Sequence, residues 1–194
     1  MSEDKVRCFI AVELSAEAKA EVQRLTKAVS ELEIRGVRAV RPEGVHVTLR
    51  FLGDIESDAV PRAIAAIRAS ASQSRPFDLS LVEVGAFPNT RSVRVLWAGV
   101  SGDIDDLEEL HERVESELAA VGFSRDRRRF NPHITLARLR ERVLGSDRRR
   151  VVDKVSTVGH ARVAFRVDAI TLFQSTLHPE GSIHTPLCRV RFVD

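Results

Sequence analysis

The sequence contains one short motif twice, and this repetition limits what the chain can fold into. The motif His-x-Thr-Leu begins at His46 and again, 87 residues later, at His133. Each copy follows a strand-like run and an apolar stripe at helical spacing. The repetition predicts two β-α-β-β-α-β units, over residues 6–85 and 93–173, with a last strand over 187–193 that closes the fold.

Length and composition set the size of this fold. The 194 residues, 43% apolar and 30% charged, fit a single domain over 1–194. The pattern predicts an α+β protein with two lobes related by a pseudo-twofold axis, mainly antiparallel sheets along a central cleft, and helices outside. Strand-like pieces at 37–41 and 45–52, separated by a Pro-Glu-Gly turn, are expected to form a hairpin.

Charge and cysteine content exclude some classes of protein. The 30 Lys and Arg residues against 28 acids give a net charge of +2, too small for a general DNA coat. Cys8 and Cys188 cannot make a disulfide framework or a four-thiolate zinc site, which favours a reducing, cytoplasmic setting. We expect no export signal, membrane span or lipidation, and we infer no obligate protein partner.

The paired motifs suit acid–base chemistry. On a strand, alternation puts His46 and Thr48 on one face, and His133 and Thr135 likewise. Two imidazoles in one cleft can deliver one proton and remove another near neutral pH, as hydrolysis of a phosphodiester requires. The threonine hydroxyls can bind the non-bridging phosphate oxygens. Spacing alone does not say which histidine is the acid.

A metal site and a nucleotide-dependent ligase are the less favoured alternatives. His111 lies on an acidic helix, and His178 and His184 flank a turn at 179–182. None stands at a His-x₃-His, His-Glu-x-x-His or Cys-x-x-Cys spacing, and no Gly-x-x-x-x-Gly-Lys loop occurs. We expect neither a metal nor another cofactor.

A basic segment surrounds the second motif. Residues 125–150 hold ten arginines and three acids, whereas residues 103–117 hold eight acids and one arginine. The basic segment can form an electrostatic rim for an RNA backbone. For Arg148, Arg149 and Arg150 a solvated face is the other interpretation.

Several stretches around these motifs make the chain resemble a known family. They are the runs at 7–12, 45–53, 85–88, 94–97 and 130–138. The chain is similar to the two-histidine phosphoesterase superfamily, in particular the RNA 2′,3′-cyclic phosphodiesterase branch, also called the LigT or 2′-5′ RNA ligase family. The resemblance implies a LigT-like fold and metal-independent hydrolysis of RNA 2′,3′-cyclic phosphate ends to 2′-phosphate. The substrates implied are RNA with cyclic phosphate ends, or cyclic nucleotides.

The resemblance also implies residue roles. His46 would be the proton donor and His133 the proton acceptor, with Thr48 and Thr135 holding phosphate. The substrate-binding residues it implies are Phe51, Arg138 and Arg129.

Two of these residues need a break in their strand. Phe51 and Arg138 each follow their histidine by five residues, which in unbroken alternation puts them on the opposite face. A bulge or twist must therefore re-aim them. Without it, Phe51 would be a core residue and Arg138 a solvated one.

Two other functions remain open. One is 2′-5′ RNA ligation by the same four histidine and threonine side chains. The other is a non-catalytic RNA-binding module of the same fold. Two titratable histidines favour an enzyme, because binding alone does not need them.

Overall fold

The computed structural model describes residues 5–41, 44–178 and 181–193. These ranges hold helices and strands in the order β1 (Lys5–Glu13), α1 (Ala16–Ser30), β2 (Val37–Ala39), β3 (His46–Glu56), α2 (Val60–Ala71), β4 (Phe77–Phe87), β5 (Val95–Gly102), α3 (Ile104–Ala120), β6 (His133–Leu139), α4 (Gly145–Val158), β7 (Ala164–Val167), β8 (Ala169–His178) and β9 (Gly181–Arg191). A short 3-10 turn at Ser57–Ala59 leads into α2.

The strands form two antiparallel sheets. Sheet A has the order β3-β1-β8-β9 and sheet B the order β2-β6-β5-β4-β7. The α+β class with antiparallel sheets is therefore confirmed. Each sheet takes strands from both halves of the chain, because β4 joins sheet B and β8 joins sheet A. The internal duplication itself stays a prediction.

The hairpin expected between β2 and β3 is wrong. Val37–Ala39 pairs with β6 in sheet B, whereas β3 lies at the edge of sheet A. The chain crosses between sheets at this point, and alternation within a strand does not name its partner. Pro42 and Glu43, in the expected turn, lie outside the described residues.

The final strand is longer than the sequence indicated. Strand β9 begins at Gly181 rather than at residue 187 and ends at Arg191. The turn expected at 179–182 is described only from Gly181 onward, because Pro179 and Glu180 lie outside the described residues. His184 is consequently a strand residue, paired with Ser175 of β8.

Helices cover one face of each sheet. Helices α1 and α4 pack on sheet B, and α2 and α3 pack on sheet A. The apolar stripe of α1 is buried at Ala18, Val22, Leu25 and Val29, and Ser15 Oγ accepts from the Ala18 N–H to cap the helix. None of the helices in the described ranges is long and apolar enough to span a membrane.

A second, smaller apolar cluster lies on the face of sheet A that the helices leave uncovered. It consists of Phe9, Ala11 and Phe173 and is separate from the main core. Strand alternation puts Phe9 and Ala11 on this face, while Ile10 enters the main core. This face, which also carries His46 and Thr48, forms one side of the candidate site.

Candidate active site

His46 and His133 are the first residues of β3 and β6, and both rings are held in the same way. His46 Nδ1 lies 2.6 Å from the Gly44 carbonyl oxygen, and His133 Nδ1 lies 2.7 Å from the Asn131 carbonyl oxygen. A carbonyl oxygen only accepts, so each Nδ1 carries the hydrogen. Each Nε2 is then the nitrogen available for chemistry.

The two histidines lie near each other although they belong to different sheets. Strands β3 and β6 are in contact. The charges of His133 and Arg138 both act on the pKa of His46. The structure therefore brings His46, His133 and Arg138 close to one another.

The two threonines share the faces of their histidines. Thr48 lies opposite Ala11 on β1, and Thr135 lies opposite Trp97 on β5. Both side chains are half-buried. Neither hydroxyl has a hydrogen-bond partner within the described ranges, so both remain available to a ligand.

Matching bulges bring Phe51 and Arg138 back to the cleft side. The register shifts at Leu49 in β3 and at Leu136 in β6, each of which stands as an extra residue. One extra residue inverts the alternation of the side chains that follow it, and in β3 this holds as far as a second register shift at Leu52. Phe51 therefore lies beside Phe9, at 5.9 Å between ring centroids, and is 51% exposed rather than part of the core.

The bulge in β3 is anchored from α3. His111 Nδ1 lies 3.1 Å from the Leu49 carbonyl oxygen, to which it donates, and its ring stacks on Phe130 at 4.1 Å. His111 is buried. The hydrogen bond to Leu49 and the stacking on Phe130 give His111 a structural role.

The residue after the bulge is also fixed. Arg50 is buried between two acids. Its Nε lies 3.1 Å from Glu115 Oε1, and its Nη1 lies 3.1 Å from Asp126 Oδ2. The contact between Arg50 Nε and Glu115 Oε1 is poorly aligned for a hydrogen bond, so it is chiefly ionic. Hydrogen bonds from Arg128 hold the pKa of Asp126 well below its usual value and keep that carboxylate charged.

The surroundings of the two histidines differ. His46 stacks on Phe9 at 4.5 Å and lies 6.0 Å from Phe173. Burial lowers the pKa of His46 to about 4, with a further contribution from the nearby His184. His133 meets the edge of one ring, Phe87, at 5.2 Å. The two histidines are therefore held by carbonyl oxygens in the same way but lie among different aromatic neighbours.

His184 belongs to this site although the sequence did not predict it. Its ring lies 5.2 Å from that of His46, and its Nδ1 lies 3.2 Å from the Gly44 carbonyl oxygen. Burial lowers its pKa. Its spacing matches no motif, and the expected turn kept it out of any strand pattern.

Arg138 has a second arginine beside it. Arg38 of β2 lies directly opposite Arg138, and both are exposed. Neither has an acidic partner in the part of the chain that the structure describes. Like charges in this arrangement repel, and a bound anion would relieve that repulsion. The expected hairpin concealed Arg38 by assigning β2 to the wrong neighbour.

Arg129, unlike Arg138, has no contact or charge interaction with His46 or His133 among the described residues. It is exposed, and its carbonyl oxygen accepts from the Asn131 amide. No contact among the described residues joins its guanidinium to the cleft. Its part in substrate binding stays a prediction.

The basic segment is not uniformly available to a ligand. Arg148 is buried and donates to backbone carbonyls, so for this residue neither the RNA rim nor the solvated face is correct. Its acceptors are Val93, Arg140, Glu141 and Val143. Three others pair with acids: Arg125 with Glu112, Arg128 with Asp126 and Arg150 with Asp147.

The described residues contain no group of three or more His, Cys, Asp or Glu side chains arranged to hold a metal ion.

Comparison with known proteins agrees with this arrangement of sheets and paired strands. The model of the 2′-5′ RNA ligase superfamily matches residues 14–178. The chain therefore belongs to the 2′-5′ RNA ligase superfamily.

Individual relatives cover nearly the whole chain. An RNA 2′,3′-cyclic phosphodiesterase of Archaeoglobus fulgidus is 34% identical, over 94% of this chain and 98% of the relative. That of Methanothermobacter thermautotrophicus is 30% identical, over 94% and 97%. These relatives support the predicted family at the level of sequence.

Solved structures support the predicted fold. A crystal structure from Thermus thermophilus has a TM-score of 0.75 at 27% identity and covers 96% of this chain and 97% of its own. Escherichia coli LigT in apo form has a TM-score of 0.73 at 24% identity, over 98% and 99%. The LigT-like fold is therefore confirmed.

Proposed function

We propose that this protein hydrolyses the 2′,3′-cyclic phosphate ends of RNA to 2′-phosphates. The observation that carries the proposal is the matched pair of Nδ1–carbonyl hydrogen bonds, which leaves two imidazole Nε2 atoms for one cleft. Relatives at 30% and 34% identity, named RNA 2′,3′-cyclic phosphodiesterases, support this activity. Ligation and simple RNA binding are not favoured.

The reaction needs one proton removed and one delivered. His133 Nε2 takes a proton from water as its oxygen attacks phosphorus. The bond from phosphorus to the ribose 3′ oxygen breaks, and His46 gives that oxygen a proton from Nε2. The product has a 2′-phosphate and a free 3′-hydroxyl, and proton exchange with water resets the two histidines.

The burial of His46 opposes the protonated form that a general acid needs, so this role depends on the bound phosphate. Because its pKa is lowered to about 4, His46 is neutral in the free protein at pH 7. A phosphate anion bound beside it favours the charged form and raises this pKa. A buried imidazolium then releases its proton readily to the leaving oxygen. His133, which is less enclosed, is suited to accept a proton from water.

Thr48 and Thr135 hold the non-bridging phosphate oxygens in this scheme. Their hydroxyls, which have no hydrogen-bond partner among the described residues, lie two residues beyond each histidine on the same faces. Each can donate to an oxygen whose charge grows during attack, which lowers the energy of the transition state.

Phe51 and the Arg38–Arg138 pair contact the rest of the substrate. The exposed ring of Phe51 is free to stack on a base. The two facing arginines can bind phosphates of the RNA chain, and Arg129 remains a further candidate for that role. We include no metal or other cofactor, no membrane and no protein partner, and we place the protein in the cytoplasm.

Turnover of a 2′,3′-cyclic mononucleotide in EDTA tests the proposal. Wild-type protein should convert it to the 2′-monophosphate, while His46→Ala and His133→Ala should not do so at a comparable rate. Binding without conversion would support the RNA-binding module instead. Recovery of activity only after zinc or manganese is added would show that the reaction needs a metal.

A further inference from the structure

The Gly44 carbonyl oxygen has two imidazole neighbours. His46 Nδ1 lies 2.6 Å from it and His184 Nδ1 lies 3.2 Å from it. A carbonyl oxygen has two lone pairs and can accept both hydrogen bonds. At His133, the Asn131 carbonyl has no second imidazole donor among the described residues. The arrangement at Gly44 is therefore specific to the His46 side of the cleft.

The His184 ring packs closely against His46, Phe9 and Gly44. It meets the His46 ring edge-on at 5.2 Å and the Phe9 ring edge-on at 4.8 Å. A Cβ atom added at Gly44 would lie only 3.1 Å from His184 Nδ1. The imidazole thus occupies space that a side chain at residue 44 would need.

From these contacts we propose that His184 is a positioning residue for His46, within the function proposed above. Its Nδ1–H holds the Gly44 carbonyl in place while its ring braces the His46 ring. The carbonyl then fixes the hydrogen of His46 on Nδ1, and Nε2 of His46 faces the phosphate.

The charges around His46 require His184 to be neutral in this role. His133 and Arg138 face His46 from β6, and Glu13 lies opposite it on β1. Glu13 is engaged by Arg189 and Thr171, at 3.2 and 3.3 Å. A charged His184 would add to the repulsion on a protonated His46. Burial lowers the pKa of His184 and so favours its neutral form at pH 7.

Two substitutions separate the donor from the ring. His184→Phe keeps a ring and removes the donor, whereas His184→Asn keeps an N–H near the position of Nδ1 and removes the ring. His178→Phe is the control, because His178 lies exposed on the same pair of strands. For a 2′,3′-cyclic mononucleotide, His184→Phe should lower kcat about 2- to 10-fold with little change in KM, the range for one neutral hydrogen bond. His184→Asn should retain most of kcat, and the control should match wild type.

A spectroscopic readout distinguishes positioning from a merely structural role. Imidazole ¹⁵N shifts of His46 at pH 7 should show hydrogen on Nδ1 in wild type and in His184→Asn. In His184→Phe they should show a mixture of Nδ1–H and Nε2–H forms. An unchanged tautomer in folded His184→Phe, or an unchanged kcat, would overturn the proposal whatever the effect on Tm. If wild type fails to turn over the substrate, the proposed function is wrong, and the tautomer measurement still decides the role of His184.

Discussion

Leu49 and Leu136 are the extra residues of two matching bulges, one in each sheet, and each follows a candidate catalytic histidine by three positions. Each bulge inverts the strand alternation and returns the side chain two residues later to the cleft. Those side chains are an aromatic ring at Phe51 and a guanidinium at Arg138. Two strands with the same kind of bulge therefore present different groups: β3 presents an aromatic ring, and β6 presents a guanidinium.

The ion pairs of Arg50, the residue after the first bulge, should be important for stability. Glu115→Ala removes one of the two ionic partners of the buried Arg50 and leaves Asp126 in place. The loss should therefore be about 1–3 kcal/mol, below the cost of a buried charge with no partner. Urea unfolding should show this loss in the free energy of unfolding. Glu108→Ala, an exposed change on the same helix, should stay within about 0.5 kcal/mol of wild type. Equal effects of the two changes would contradict the role assigned to the Arg50 ion pairs.

Phe51→Ala should weaken substrate binding without unfolding the protein. Loss of base stacking costs about 1–3 kcal/mol, so KM for a cyclic nucleotide should rise about 5- to 160-fold. Tm should change little, because the ring is 51% exposed. Leu177→Ala removes an exposed apolar side chain elsewhere on sheet A and serves as the control. An unchanged KM for Phe51→Ala would remove this ring from the substrate site.

Salt dependence should reveal which arginines contact RNA. Each phosphate contact contributes about one to the slope of log affinity against log salt concentration. Arg38→Gln and Arg138→Gln should each reduce this slope for a cyclic-ended oligonucleotide. Arg149→Gln, an exposed change in the same basic segment, should leave it unaltered. A slope that responds to Arg149 as strongly as to Arg38 would indicate a diffuse basic surface.

The pKa of His46 predicts two effects of pH. NMR titration of the free protein should place it near 4, and the profile of kcat/KM should be bell-shaped, with its acidic limb near that pH.

The same pKa predicts how stability depends on pH. A histidine in the unfolded chain titrates at about 6.5, so the unfolded state binds more protons than the folded state between pH 4 and 6.5. The free energy of unfolding should therefore fall as pH is lowered from about 6.5 to 4, and less so in His46→Phe. Titration of His46 near 6.5 would contradict this account.

The sequence predicted the residues that depend on local alternation. His46 and Thr48, like His133 and Thr135, precede the bulge of their strand, so period-two spacing places them correctly on one face. Phe51 and Arg138 lie beyond it, and a shift of register by one residue is not visible in a run of apolar side chains.

The residues that were missed depend on long-range pairing. Arg38 comes beside Arg138 because β2 crosses to the other sheet, and His184 reaches His46 through β9 at the far edge of sheet A. Within the basic segment, composition concealed a buried residue. Arg148 donates from its guanidinium to backbone carbonyls, which no charge count distinguishes from a solvated arginine.

The most direct test of the proposed reaction is the position of the phosphate in the product. An RNA oligonucleotide with a 2′,3′-cyclic end is incubated in EDTA with wild-type protein, His46→Ala or His133→Ala, and the product is identified by ³¹P NMR. We expect a 2′-phosphate from wild type and a loss of about 10²–10⁴-fold in rate for each variant, the range for one general acid or base. A 3′-phosphate, a ligated product, or near-native turnover by either variant would contradict the proposed reaction.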